Sequence, residues 1–132
     1  MIATLFLPQN LRDQIAREAV AANPSECCGL IVGTYNKDEA TALACHPTRN
    51  LATDSDSFEI DPARHIELLR SLRGTGREIL GCYHSHPAGR AEPSPRDLAR
   101  ATDENFLWLI AAGPELQAFV HAGHAFHPVR LA

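Results

Sequence analysis

Apolar residues recur every three or four positions over residues 8–23, which is the pattern of a helix with one buried face. The residues with this spacing are Leu11, Ile15, Ala19 and Ala22. The dipeptide Asn23-Pro24 ends the predicted helix, because a residue before proline is sterically pushed out of the α region.

Continuous and alternating apolar runs predict strands in the remainder of the chain. These runs lie at residues 28–46, with a turn at 36–38, at residues 78–84, and at residues 106–131, with turns at 113–114 and 122–123. Residues 48–57 are polar and predict a surface loop. The last run is long enough for two or three strands.

Two further helices are predicted from their N-terminal residues. Asp61 can cap a helix whose first position is Pro62 and which Gly74 ends. Its predicted buried face consists of Ile66, Leu69 and Leu72. Another helix begins at Ser94-Pro95, with Leu98 and Ala101 predicted to turn inward. The order α-ββ-α-β-α-ββ(β) predicts an α/β fold with a single mixed β-sheet flanked by helices and leaves the strand order open.

Length and composition restrict the class of protein. A chain of 132 residues fits one domain over residues 1–132, and 45% apolar with 21% charged residues is typical of globular proteins. A net charge of −4 argues against a general binder of nucleic acid or anionic membranes. No segment approaches the roughly eighteen continuous apolar residues of a membrane span, and no signal peptide is recognisable, so a cytoplasmic protein is expected.

The four cysteines do not form the pattern of a disulfide framework. Cys27 and Cys28 are adjacent, and Cys45 and Cys82 lie in apolar runs, as free buried thiols do. None of them is accompanied by evidence for a nucleophile, so a cysteine protease is disfavoured.

The candidate chemistry lies around two of the seven histidines. His84 and His86 are two residues apart at the end of a predicted strand, so both side chains can project to the same side. Asp97 falls in the first turn of the next helix, which can fold back against that strand end. Two imidazoles and a carboxylate make a three-ligand site, for which zinc with an open fourth position for water is the preferred metal.

Each of these residues also has a purely structural interpretation. Ser94 to Asp97 form a helix-capping arrangement, and an acidic residue favours a helix N-terminus, so Asp97 alone more often starts a helix than binds a metal. An isolated H-x-H is equally weak evidence. Spacing alone therefore leaves both the metal site and the capped helix open.

A hydrolytic metal site also needs a general base. Glu26 is the candidate, because it lies where the first helix gives way to a buried strand, an unusual place for an unpaired charge. The alternative is an exposed carboxylate that precedes the strand.

Taken together, four separated elements resemble the JAMM (MPN+) metalloprotease family, whose pattern is a glutamate, then H-x-H-P, about seven residues, and S-x-x-D. The elements are Glu26 with Gly29 and Gly33 in ECCGLIVG, GCYHSHP at 81–87, Ser94 and Asp97. Coarser similarity extends over the leading helix, the loop at Asn50, the FEIDP segment before the second helix and the closing strands.

The resemblance implies an α/β fold similar to that of cytidine deaminases, with one zinc ion held by His84, His86 and Asp97. It implies that Glu26 is the general acid/base for a water molecule at the metal, and that Ser94 stabilises the oxyanion. The family hydrolyses peptide or isopeptide bonds after the C-terminal glycines of ubiquitin and ubiquitin-like proteins.

Two features bear on the substrate. Residues 48–57 and 102–106 leave little room for the insertions with which deubiquitinating members grip ubiquitin, and P-x-E-C-C-G resembles the stand-alone bacterial branch. That branch processes small ubiquitin-like sulfur-carrier proteins with a C-terminal Gly-Gly, which is therefore the expected partner. Cys82 stands where many relatives have a tryptophan or another large apolar residue, and we expect altered packing behind the site.

Three other interpretations are weaker. A non-catalytic scaffold or ubiquitin-like-binding module of the same fold usually lacks a motif residue, and this chain lacks none. A zinc deaminase needs C-x-x-C, which is absent. A second metal site could be built from His121, His124 and His127, but an i+3 step on strands lands on opposite faces, so solvated hairpin residues are preferred.

Overall fold

The computed structural model describes residues Met1–Ala132 and contains three helices and seven strands. In chain order these are β1 (Thr4–Phe6), α1 (Gln9–Ala22), β2 (Cys28–Asn36), β3 (Glu39–Thr48), α2 (Pro62–Ser71), β4 (Glu78–Ser85), α3 (Pro95–Arg100), β5 (Phe106–Ala112), β6 (Glu115–Ala122) and β7 (Ala125–Leu131). No helix combines the length and the hydropathy needed to span a membrane.

All seven strands belong to one mixed sheet with the order β1-β3-β2-β4-β5-β6-β7. The predicted α/β fold with a single mixed sheet and helices is confirmed. Strand β1 adds a feature that the sequence did not predict, because it pairs in parallel with both β3 and β7 and closes the sheet into a barrel. A strand of three residues is too short to show a period, which is why the pattern failed to predict it.

The interior contains three apolar clusters, and the alternation of side chains along the strands separates the two larger ones. On β2, Ile31 belongs to the larger cluster, which also contains α1 residues, whereas its neighbour Leu30 belongs to a smaller one. Trp108, Phe58 and Cys82 pack in that smaller cluster. The prediction of four free, buried thiols is confirmed.

Helix α2 is rotated relative to its predicted orientation. Asp61 caps it, as predicted, but Ile66 and Leu69 are both 50% exposed, so their assignment to the buried face was wrong. Leu68 is buried instead, and Leu72 packs against the smaller cluster. Apolar residues lie on two overlapping faces of this helix. Packing against the sheet buries the face with the leucines at 68 and 72, which are four positions apart, and leaves the other face exposed.

Helix α3 has only six residues and turns a polar residue inward. Leu98 is 43% exposed, so its predicted burial was wrong, whereas Ala101 packs against the smaller cluster as predicted. The position on the inner face is taken by Asp97, which is buried. Residues 94, 97 and 101 share one side of the helix, and this side faces the end of β4.

A close contact between β2 and β4 leads to a first testable prediction. A Cβ at Gly29 would overlap the ring of Tyr83, which is fully buried and whose hydroxyl donates to Glu18 Oε1 at 2.6 Å. We expect Gly29→Ala to lower the free energy of unfolding by about 1–3 kcal/mol, as overpacked cores do. Chemical denaturation measures this change. The cost should shrink in a Tyr83→Leu background, and an equal cost in both backgrounds would contradict the overlap.

Candidate metal centre

The two histidines of the H-x-H sequence lie at the carboxyl end of β4. His84 pairs with Cys28 on β2 and Ile110 on β5, and it is fully buried. His86 follows the strand, and its backbone N–H donates to the carbonyl of Ala111 at 2.8 Å. This bond continues the hydrogen-bond ladder between β4 and β5 past the end of β4, and it keeps both imidazoles on the same side of the sheet.

Helix α3 brings a carboxylate to the same point. The two Nε2 atoms of His84 and His86 are 2.9 Å apart, and Asp97 Oδ2 lies 3.3 Å and 3.2 Å from them, respectively. A tetrahedral zinc ion with bonds of about 2.0–2.1 Å holds its ligand atoms about 3.3 Å apart. The donor set therefore has the chemistry that such an ion requires, and its two nitrogen–oxygen separations match this spacing, whereas the two nitrogens lie closer together.

The hydrogen bond of the second ring nitrogen orients His86. His86 Nδ1 lies 2.8 Å from the carbonyl oxygen of Arg90 and must donate to it, because a carbonyl only accepts. The neutral ring then keeps its lone pair on Nε2, which faces Asp97. This backbone partner matches the usual support of a metal-binding histidine.

Asp97 caps α3 and also faces the two histidines. Its Oδ2 accepts from the backbone N–H of Ser94 at 2.8 Å, and Ser94 Oγ accepts from the backbone N–H of Asp97 at 3.1 Å. This capping box fixes the carboxylate in front of the histidines. Burial alone would raise the pKa of Asp97, but its hydrogen bonds with His84 and His86 outweigh burial and hold that pKa well below its usual range.

The two imidazoles differ in their electrostatic environment. Burial lowers the pKa of His84 in spite of the nearby Asp97 carboxylate, which favours the neutral ring that a metal needs. Burial also opposes protonation of His86, but Asp97 and the Arg90 carbonyl outweigh it and raise the pKa of His86 above its ordinary value.

Glu26 lies beside this cluster and has no polar partner. It is 5% exposed and its Oε1 makes no hydrogen bond, so the alternative of an exposed carboxylate was wrong. Its carboxylate comes within 4.8 Å of the ring nitrogens of His84 and His86 without hydrogen-bonding to either. Burial raises the pKa of Glu26 to about 7. A carboxyl group with such a pKa can both accept and donate a proton near neutral pH.

A cleft opens onto these residues. Its lining consists of Glu26, Asp56, His86, Pro87, Ala88, Gly89 and Ser94. Ser94 is half-buried, and its Oγ already accepts a hydrogen bond within the cap, which leaves its own O–H free to donate into the cleft. The structure thus brings all five predicted site residues together at one end of β4.

Asn50 is a residue whose structural role the sequence did not reveal. Its Nδ2 donates to the carbonyls of Glu26 and Ser57 at 3.0 Å each, and its Oδ1 accepts from the backbone N–H groups of Ala52 and Glu59 at 2.9 Å each. All four hydrogen-bonding positions of the amide are therefore used. An asparagine in a polar loop gives no pattern from which these contacts could be predicted.

We expect Asn50→Asp to impair the site, because a carboxylate oxygen would replace the amide that donates to the carbonyl of Glu26. Small displacements of a catalytic group can cost about 100-fold in rate, and we expect kcat to fall tenfold or more. Steady-state kinetics together with metal analysis test this, with Asn10→Asp on the exposed surface of α1 as the control. Unchanged kcat in Asn50→Asp would contradict a positioning role.

The C-terminal histidines do not form a second centre. His121 is buried, with Nδ1 donating to the carbonyl of Asp103 at 2.9 Å, so its interpretation as a solvated hairpin residue was wrong. It pairs with Phe106 inside the sheet, which explains its burial. His124 is exposed at the β6–β7 turn, and His127 Nε2 donates to the carbonyl of Ala122 at 3.1 Å.

The thiols are kept in their neutral form. Burial raises the pKa of Cys27 to about 11 and that of Cys45 to about 12, and it also raises the pKa values of Cys28 and Cys82. A neutral thiol is a poor nucleophile, which agrees with the prediction that no cysteine is catalytic.

Comparison with known proteins assigns the family to which this closed sheet and its cluster of side chains belong. The chain belongs to the prokaryotic homologs of the JAB domain, whose family model matches residues 8–122. This match confirms the predicted membership, and the names of the relatives described next confirm the predicted enzyme class. Members of this family generally depend on a metal ion.

Two named relatives are similar to most of this chain. A desampylase of Haloferax volcanii is 34% identical over 113 residues, which cover 82% of this chain and 80% of that protein. A probable TtuB-protein conjugate cleaving protease of Thermus thermophilus is 32% identical over 98 residues, covering 74% of this chain and 63% of that protein.

Solved structures show the same fold. The solution structure of a protein of Desulfitobacterium hafniense superposes with a TM-score of 0.88 at 26% identity. The superposition covers 98% of this chain and 92% of that protein. A JAB1/MPN domain protein from Archaeoglobus fulgidus gives a TM-score of 0.58 at 18% identity, with coverage of 99% and 98%, respectively.

Proposed function

We propose that this chain is a zinc-dependent isopeptidase that hydrolyses the bond after the C-terminal Gly-Gly of a small ubiquitin-like sulfur-carrier protein. The observation behind this proposal is the convergence of three donor atoms within 2.9–3.3 Å of one another, with the buried carboxyl of Glu26 beside them. The names of the relatives, a desampylase and a TtuB-conjugate cleaving protease, support the substrate class.

His84, His86 and Asp97 are the proposed ligands. Their mixture of two imidazoles and one carboxylate is typical of catalytic zinc sites with three protein ligands. When bound, zinc supplies Lewis-acid activation of water, whose pKa it lowers toward about 7. Glu26 is the less suitable third ligand, because Asp97 Oδ2 is within 3.3 Å of both ring nitrogens and Glu26 hydrogen-bonds to neither.

Glu26 is the proposed general acid/base. It accepts a proton from the attacking water as the water oxygen bonds to the carbonyl carbon of the last glycine. It then donates that proton to the amine nitrogen as the C–N bond breaks, so that the products are a carboxylic acid and an amine, and transfer of the acid proton to the amine gives the carboxylate and the ammonium ion. Burial without a polar partner supports this role, because it brings the pKa of the carboxyl close to neutrality.

Ser94 is proposed to stabilise the oxyanion. Its hydroxyl proton is not used by the capping box and can be donated to the carbonyl oxygen on which negative charge develops. The capping box limits the movement of Ser94, and a donor fixed in advance needs little reorganisation during the reaction.

The shape of the cleft supports a glycine-containing tail. Part of its lining is the short segment Pro87, Ala88 and Gly89, whose side chains are small. The loops at residues 49–61 and 101–105 lack the long insertions of deubiquitinating members. Both features favour a small carrier with a Gly-Gly end over polyubiquitin.

The alternative of a non-catalytic scaffold is less well supported. Burial of a carboxyl group without a hydrogen-bond partner costs free energy, and Glu26 is such a group. A binding module would gain nothing from this cost, whereas a general acid/base needs the perturbed pKa that accompanies it.

The proposal is tested by intact mass spectrometry of a ubiquitin-like carrier extended by several residues past its Gly-Gly. We expect the carrier to lose the extension and to end at the second glycine, and a carrier with Ala-Ala in place of Gly-Gly to stay intact. No mass change with any extended carrier, or cleavage at another bond, would overturn the proposed substrate.

A further inference from the structure

The imidazole of His84 is held by aromatic rings. The ring of Phe58 stacks on it with the centroids 4.2 Å apart and an angle of 21° between the planes. Trp108 meets it edge to face at 5.7 Å and 89°. His84 is fully buried, and its Nδ1 has no hydrogen-bond partner.

This arrangement departs from the usual support of a metal-binding histidine. Such a residue normally donates its second ring N–H to a carbonyl, a carboxylate or a water molecule, and this bond fixes the orientation of the ring. His86 has this support from the carbonyl of Arg90. No protein group gives His84 this support, so among the protein's own contacts only packing prevents its ring from turning about the Cβ–Cγ bond.

Phe58 is itself fixed through α3. Its carbonyl oxygen accepts a hydrogen bond from Arg100 Nη1 at 2.6 Å. Arg100 lies about one turn after Asp97, on the helix that supplies the carboxylate of the site. Asp54 and Arg96 form a second link between this loop and α3 at 3.1 Å. These two contacts therefore attach the loop that carries Phe58 to α3.

A neighbouring cavity leaves room for the imidazole to turn if the stacked ring is removed. The cavity has a volume of about 410 Å³ and is bordered by Phe58 and Trp108 but not by His84. Cys82, a small residue, is also part of its lining. Phe58 and Trp108 thus separate the imidazole from open space.

We propose that Phe58 is a positioning residue of the metal centre, whose stacked ring replaces the missing hydrogen bond of His84 and fixes Nε2 toward His86 and Asp97. Arg100 couples this support to the helix that supplies Asp97. The inference depends on the proposed metal-binding role of these three residues. It assigns to the loop at residues 49–61 a function in metal affinity.

The test is the zinc dissociation constant of the whole chain, measured by competition with a chromogenic chelator, and the visible spectrum of the cobalt-substituted form. Phe58→Leu keeps an apolar side chain but removes the ring. We expect about 10–100-fold weaker zinc binding, the size of effect that loss of a supporting residue has, and a shifted cobalt spectrum. Phe58→Tyr keeps the stacked ring and should have the zinc affinity and the cobalt spectrum of wild type.

Phe126→Leu is the matched control. Phe126 packs edge to face on Trp108 at 5.2 Å, in the same aromatic cluster, and makes no ring contact with His84. We expect it to lower the melting temperature while zinc affinity stays within twofold of wild type. If Phe58→Leu fails to fold, Arg100→Gln loosens Phe58 without removing its ring and should weaken zinc binding in the same direction.

Three outcomes would count against the inference. Equal zinc affinity and an equal cobalt spectrum in wild type and Phe58→Leu would overturn it, while leaving the proposed function intact. Equal losses of zinc affinity in Phe58→Leu and Phe126→Leu would also overturn it, because both would then reflect general destabilisation of the fold. A wild-type chain that binds no metal would overturn the proposed function itself.

Discussion

Replacement of Glu26 by glutamine is expected to lower kcat by about 10²–10⁴-fold, the usual contribution of a general acid/base, while one zinc ion stays bound per chain. Glutamine has nearly the same shape but cannot accept a proton from water or return it to the leaving amine. Because Glu26 Oε1 is buried without a partner, the neutral amide should not destabilise the fold.

Three measurements on Glu26→Gln separate chemistry from structure: kcat on a carrier conjugate, zinc content and melting temperature. Glu39→Gln, an exposed position at the start of β3, is the control and should match wild type in all three. Wild-type turnover in Glu26→Gln would remove this residue from the mechanism. Loss of zinc in Glu26→Gln would instead make it a ligand.

Replacement of Asp97 by alanine is expected to have the second large effect, loss of stoichiometric zinc together with a less stable metal-free form. The Oδ2 atom faces both histidines at 3.2–3.3 Å and also accepts from the backbone N–H of Ser94. One substitution therefore removes a ligand and half of a capping box. Loss of the hydrogen bond from the Ser94 backbone N–H should cost about 1 kcal/mol in the free energy of unfolding.

Two variants separate the loss of zinc from the loss of the helix cap. His84→Ala should lose zinc and leave the cap of α3 intact, whereas Ser94→Ala should lose the cap and still bind zinc. Metal analysis after gel filtration and denaturant unfolding of the metal-free forms provide the two readouts. Stoichiometric zinc in Asp97→Ala would contradict its assignment as a ligand and leave only the capping role.

The sequence predicted that the two histidines and Asp97 would lie together, because these three residues are close along the chain. His84 lies at the end of β4, His86 follows that strand directly, and Asp97 lies in the first turn of the helix that comes next, so a short connection brings them together. The sequence left open whether Glu26 is an exposed carboxylate before the strand or a group at the site, and only the structure shows that it is buried. Only the structure shows that the same oxygen of Asp97 caps the helix and faces both histidines.

The parts that the sequence did not predict depend on contacts between distant segments. Phe58 and Asn50 lie in or beside a polar loop, and their partners are a strand end and a helix that occur elsewhere in the chain. The orientation of α2 was wrong because two apolar stripes overlap on one short helix and only packing chooses between them. The burial of His121 likewise depends on its partner Phe106 across the sheet.

In the proposed mechanism, hydrolysis after Gly-Gly requires one zinc ion held by His84, His86 and Asp97, with Glu26 as the general acid/base. Its most direct test is a titration of the metal-free chain with zinc, in which the initial rate of cleavage of a carrier conjugate is measured at each addition. We predict no cleavage without zinc and a linear rise that ends at one equivalent per chain. Cleavage by the metal-free chain, or a rate that does not respond to zinc, would contradict the account.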